Sequence, residues 1–127
     1  MNQAVKRALE ADRVIDITTT GRNTGEPRRT DIWFHNLDGD LYITGPPSTA
    51  TPPRPRDWYR NMVATPSFTF HLKQTTQADL AAVAIPVVDA DERRRVFERV
   101  VPKPDRVRNI EGWVASSPLV RVELADS

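Results

Sequence analysis

The segment Thr18-Thr19-Thr20-Gly21-Arg22-Asn23-Thr24-Gly25-Glu26-Pro27-Arg28 ends one β-forming run and opens another. Upstream, Val14–Thr20 is dense in β-branched side chains, which suit the pleated surface of a strand, and Gly21 stops it. Downstream the chain is strand-like again over residues 28–37. Asp38-Gly39 then carries a strong hairpin signal and leads into a further strand at residues 41–44. Two antiparallel connections in succession predict an all-β core in place of βαβ units.

Working outward from this pair of hairpins, Gln3–Ala11 sets Val5, Ala8 and Leu9 at helical spacing and predicts a short amphipathic helix. Residues 45–57 hold Pro46, Pro47, Pro52, Pro53 and Pro55, which stiffen a loop and exclude helix or central strand. Asp57 is placed to cap a helix over residues 58–64, ended before Pro66. Residues 67–73 alternate, with Phe68, Phe70 and Leu72 facing one way and Thr69, His71 and Lys73 the other. A strand follows at residues 77–88. Asp89 and Glu92 then form a capping-box-like start to a helix with Val96, Phe97, Val100 and Val101 as its apolar stripe. A further short helix is predicted over residues 107–115, with Ile110, Trp113 and Val114 on one side, and Leu119–Leu124 closes the chain as a strand. The prediction is a mainly β (α+β) protein. One domain over residues 1–127 holds about six antiparallel strands in a small barrel, with three or four short helices.

Composition sets limits. With 39% apolar and 28% charged residues, the 127-residue chain fits a soluble globular domain, and a cytoplasmic location is expected. It has no cysteine, so disulfides and thiolate chemistry are excluded. Its 18 basic and 17 acidic residues give a net charge of +1, without the basic excess of a nucleic-acid-binding protein. No apolar run is long enough to span a bilayer, and residues 1–10 lack the apolar stretch of a signal peptide.

Two segments carry candidate chemistry. In the first, Gly21 and Gly25 allow backbone N–H groups to converge on an anion, and Arg22 and Arg28 add charge-assisted forks for phosphate oxygens. The same composition also serves an ordinary hairpin connection, and both readings stand at this level. The second is Arg54-Pro55-Arg56-Asp57-Trp58-Tyr59-Arg60-Asn61, where a rigid approach meets a helix start beside arginines and two aromatics. It is either one wall of a planar-ring pocket or a packing staple with solvated arginines. His35 and His71 stand far apart on strands, so no metal centre is expected. His71 reads as a surface strand residue and Trp113 as core ahead of ligand wall. No catalytic residue is assigned.

Together the two segments resemble the deazaflavin-dependent nitroreductase family. The shared order is T-T-T-G-R-x-[ST]-G-x-P-R, a strand, D-G-x-x-Y, a loop, and W-Y-x-N-[LM]-x-A-x-P, here Thr18 to Arg28, Asp38-Gly39, Trp58-Tyr59, Asn61-Met62, Ala64 and Pro66. The resemblance implies a six-stranded split β-barrel of the pyridoxamine-phosphate-oxidase-like superfamily that binds F420 and passes a hydride to a quinone, enone or nitro compound. By position, Arg22, Asn23, Thr24 and Arg28 would meet the phosphate and charged tail, within the turn that Gly25 and Pro27 shape. Thr30, Ile32 and Trp33 would run beside the ring system, and Thr44, Gly45, Arg56, Trp58 and Tyr59 would complete the pocket. It also implies a homodimer. Three positions depart from the family pattern: Asn23 where a basic residue is common, Asp31 where proline is common, and Pro46-Pro47 in place of a small, lysine-containing segment. FMN is accordingly kept as the alternative cofactor, and a non-catalytic flavin- or deazaflavin-binding carrier or sequestering protein, or an FMN-dependent reductase, as the alternative function.

Overall fold

The computed structural model describes residues 1–47 and 56–125. Arg54 and Pro55 of the second motif, with Pro52 and Pro53, lie outside the described residues. Six strands, β1 (Val14–Thr20), β2 (Pro27–Leu37), β3 (Asp40–Thr44), β4 (Ser67–Leu72), β5 (Ala78–Pro86) and β6 (Leu119–Leu124), close into an antiparallel barrel. Their order around it is β1-β2-β3-β6-β5-β4. The helices among the described residues are α1 (Gln3–Ala11), α2 (Asp57–Ala64), α3 (Ala90–Val100) and α4 (Lys103–Ser116).

Local chemistry explains most of these elements. At the β2–β3 hairpin Asp38 and Gly39 take φ of 58° and 99°, and Leu37 pairs with Asp40 across them. Two positive φ values in a two-residue loop match the right-handed twist of the flanking strands. Strand alternation sends Ile15 and Ile17 of β1, Phe34 of β2, Ile43 of β3, Phe68, Phe70 and Leu72 of β4, and Val120 and Val122 of β6 into the barrel. Phe34 and Phe70 meet edge to face at 5.3 Å. The small Ala82 and Ala84 of β5 make room for them. Helix α1 adds Val5, Ala8 and Leu9 to this core, and Asn2 caps it by accepting from the Val5 N–H at 2.8 Å.

A second core lies where α3 and α4 cover Tyr42 of β3. Val96, Phe97 and Val101 pack there with Val87 and Leu119, and Ile110, Trp113 and Val114 join from α4. Asp89 caps α3 by accepting from the Glu92 N–H, as its spacing predicts. Arg93 binds the end of α4, its guanidinium donating to the carbonyls of Val114, Val87 and Ser117 at 2.7, 2.9 and 2.6 Å.

Three expectations need correction. Helix α4 begins at Lys103, earlier than residue 107, because Pro104 sits in its first turn, where the missing N–H costs nothing. Asp57 is not the cap of α2: Arg56 holds that position without a side-chain bond, and Asp57 is the first helical residue. His71 does leave the barrel side of β4, yet it is only 7% exposed. Thr18 and Asp79 close over it, each 2.7 Å from one ring nitrogen.

Candidate functional site

The turn between β1 and β2 is closed from within. Gly21 N–H donates to the Glu26 carbonyl, Gly25 N–H to the Gly21 carbonyl, both at 2.8 Å, and Glu26 N–H to Thr24 Oγ1 at 3.1 Å. Gly25 has φ of +73°, and a Cβ on Gly21 would lie 2.8 Å from Thr24 Oγ1, so both glycines are geometric necessities. The N–H groups of Gly21 and Gly25 themselves are thus spent inside the turn.

Guanidinium groups supply the positive charge instead. Asn61 of α2 accepts from both the backbone N–H and Nη1 of Arg22 at 3.1 Å through one oxygen. Its amide donates to Thr19 Oγ1 at 3.3 Å. Asp57 meets Arg22 Nη2 at 3.3 Å. Asn61 is 5% exposed, so this is a buried latch that fixes the turn to α2. Arg28 is exposed and has no hydrogen-bond or ion partner among the described residues.

Arg22, Asn23, Thr24, Pro27, Arg28 and Thr30 line a cavity of about 550 Å³, with Arg29, Asp57 and Asn61 completing its wall. Ile32, Trp33, Thr44, Gly45 and Arg56 line a second of about 510 Å³. Thr30 and Trp58 belong to both, so the two form one bent cleft along β2. The first half is polar and cationic. The second is walled largely by apolar side chains, and all three tryptophans of the chain, Trp33, Trp58 and Trp113, border it. Of the site residues named from sequence, Gly25 and Tyr59 line neither half. Gly25 forms the turn. Tyr59 packs edge-on against Trp58 at 6.0 Å and lines a separate cavity of about 260 Å³ beside Arg93 and Ser117.

Several wall residues were not foreseen: Thr19, Arg29, His35, Val100 and Pro102. Trp113 is both core and wall, packing on Phe97 at 5.9 Å while bordering the cleft. Strand alternation does foretell that Asp31, Trp33 and His35 share one face of β2, and that was the available signal. Asp31 enters the cleft with its charge answered. Lys73 Nζ lies 2.6 Å from it and 2.7 Å from Asp16, which Arg29 Nε also reaches at 2.9 Å. The Lys73 and Arg29 bonds hold the Asp16 carboxyl below its ordinary range, and the two carboxylates raise Lys73. His35 differs: burial, aided by the Arg13 charge, pushes its imidazole pKa down, which keeps the ring neutral near pH 7. Among the described residues no group of three or more His, Asp or Glu side chains gathers to hold a metal ion.

The sequence model of the F420H(2)-dependent quinone reductase family matches residues 1–124. The chain belongs to this family. It is thus an oxidoreductase of F420H2-dependent type, on the fold its members' resemblance implied. Comparison with curated proteins returns no match. Among solved structures, a conserved hypothetical protein of Mycobacterium tuberculosis superposes with a TM-score of 0.68 at 18% identity, covering 99% of this chain and 82% of that one. An F420-H2 dependent reductase, FDR-A, gives 0.61 at 18% identity, covering 88% and 95%. A structure described as a domain-swapped dimer gives 0.59 at 19% identity, covering 88% and 81%. At such identities the likeness is one of fold. Among the described residues no helix is long and apolar enough to cross a membrane.

Proposed function

We propose that the bent cleft binds F420, with the phosphate and charged tail at the arginine half and the ring system in the tryptophan half, and that the protein reduces a planar, uncharged acceptor of the quinone class there. The carrying observation is the sharing of Thr30 and Trp58 by a cationic and an apolar cavity, which suits a ligand with one anionic and one flat aromatic end. Arg28 and Arg22 would hold phosphate oxygens, Arg28 with its fork uncommitted and Arg22 from a position the Asn61 latch sets. Trp58 and Ile32 would flank the rings. The Asp31–Lys73 pair removes the objection that a carboxylate stands where proline is common, because its charge is compensated on the outer face.

Bound reduced deazaflavin supplies a hydride, the chemistry of the family's cofactor. The protein's share is binding and orientation by the arginine and tryptophan walls. Isothermal titration with F420 and, separately, FMN tests the cofactor, and oxidation of F420H2 with a quinone panel then tests turnover. Binding of F420 with enzyme-dependent oxidation supports the reading. Binding without turnover favours a carrier, and binding of FMN alone overturns it. The family resemblance also points to a homodimer, which light scattering on the purified protein decides.

A further inference from the structure

The tryptophan half of the cleft contains few polar groups, and most are committed. Asp31 is held by Lys73 and can only accept. The Thr44 hydroxyl donates to the Pro118 carbonyl. Arg56 is exposed at the start of α2, and Thr30 lies at the junction with the cationic half. His35 remains: a half-buried imidazole with no hydrogen bond to any described residue, in a wall shared with Trp33, Val100 and Trp113. It stands five positions beyond Thr30 on β2, roughly 16 Å along an extended strand. It therefore lies past Thr30, Ile32 and Trp33 on β2, on the side away from Arg22, Arg28 and Arg29 and within reach of the Arg13 charge.

We propose that His35 is a catalytic residue that donates a hydrogen bond to the carbonyl oxygen of the quinone as it is reduced. This rests on the assignment of the tryptophan half as the place of reduction. In that reaction the quinone takes a hydride, two electrons with one proton, from the family's reductant. The hydride bonds to one carbonyl oxygen, the electron pairs shift through the conjugated ring, and the π pair of the opposite C=O moves onto its oxygen, which then gains a proton from water to give the hydroquinone. A neutral imidazole keeps one N–H for the developing oxyanion, and beside the apolar side chains of Val100 and Trp113 such a donor acts more strongly than in bulk water. Burial favours that neutral form, so the ring enters the step as a donor of a hydrogen bond without itself having to lose a proton.

Two variants and two readouts test this. His35→Phe keeps a flat ring without the donor, and His35→Gln keeps an N–H. Loss of one donor to an oxyanion lowers kcat on the order of 100-fold. His35→Phe should therefore lower kcat with 2-methyl-1,4-naphthoquinone by that order, with F420 affinity unchanged, and His35→Gln should recover part of it. In the infrared spectrum of the carbonyl-¹³C-labelled quinone bound to wild type, the stretch should fall in frequency, and His35→Phe should abolish the fall. Because the chain has only two histidines, the pair of ring ¹⁵N signals that disappears in His35→Phe assigns the His35 and His71 signals of wild type. Only the His35 signals should move on adding the quinone. Retained kcat and retained carbonyl shift in His35→Phe would overturn the proposal, as would unmoved His35 nitrogens. Failure of wild type to bind F420 would instead overturn the underlying assignment, and the proposal with it.

Discussion

Asn61 links the two motifs through one short side chain. Its oxygen takes two donors from Arg22 and its amide reaches Thr19, all in a nearly closed environment. Asn61→Ala leaves those partners unsatisfied and should cost about 1–3 kcal/mol of stability by urea unfolding, while Asn61→Asp, which keeps the acceptor, should cost less. Arg28 presents the opposite case. It is exposed and without a described partner, so Arg28→Ala should leave the melting temperature within a degree or two of wild type. Calorimetric affinity for F420 should nevertheless drop by about 1.5–3 kcal/mol if a charge-assisted phosphate bond is lost. At this scale the sequence identified which turn matters, because Gly21, Gly25 and the arginines have plain conformational and charge signatures. It did not show that Gly21 and Gly25 N–H groups close the turn on itself, nor that His71 is covered. Both depend on cross-strand neighbours that spacing along one chain does not reveal.

Hairpins and helices were legible to within a few residues, because alternation, Asp38-Gly39 and the Asp89 cap are local signals. Tyr59 shows where local reading stops. Beside Trp58 in sequence, it is turned about 100° around α2 and so faces the Arg93 cavity in place of the cleft. Two elements invite test. A methyl on Gly21 would press on Thr24 Oγ1 and the Glu26 carbonyl, so Gly21→Ala should disturb the β1–β2 turn. Its visible result should be weaker F420 binding with a largely retained circular dichroism spectrum. Phe97 anchors α3 against Trp113 and is wholly buried. Phe97→Ala should destabilise by about 3–5 kcal/mol. Through the loosened α3–α4 pair it should also reduce affinity for the quinone more than for inorganic phosphate.

For the molecule as a whole, the pairings that close the barrel are β1 with β4, β3 with β6 and β5 with β6, which join residues tens of positions apart. No local pattern announces them; the family resemblance implied a barrel but not which strands close it. Every described strand has two neighbours in the closed order, yet β2 pairs with β1 over Pro27–Trp33 and with β3 only over Phe34–Leu37, so its first half has no strand on the β3 side among the described residues. The second core then seats α3 and α4 so that their junction walls the cleft. Acid should act on this assembly through His35. Its folded pKa lies below the ordinary 6.5, so on acidification the unfolded chain takes up the proton first. The contribution of His35 to stability is thus full above pH 6.5 and declines below it until the folded form is protonated too. Unfolding curves across that range should show the loss in wild type and a flatter profile in His35→Gln.

The gathering of Trp33, Trp58 and Trp113 around one half-cleft also makes the protein an optical instrument. Every indole in the chain emits from the rim of the same space, so tryptophan fluorescence, excited where tyrosine does not absorb, reports on that space alone. A chromophore seated there that absorbs where indole emits would quench all three by energy transfer. A single titration would then count occupied clefts without a label, in the unaltered protein.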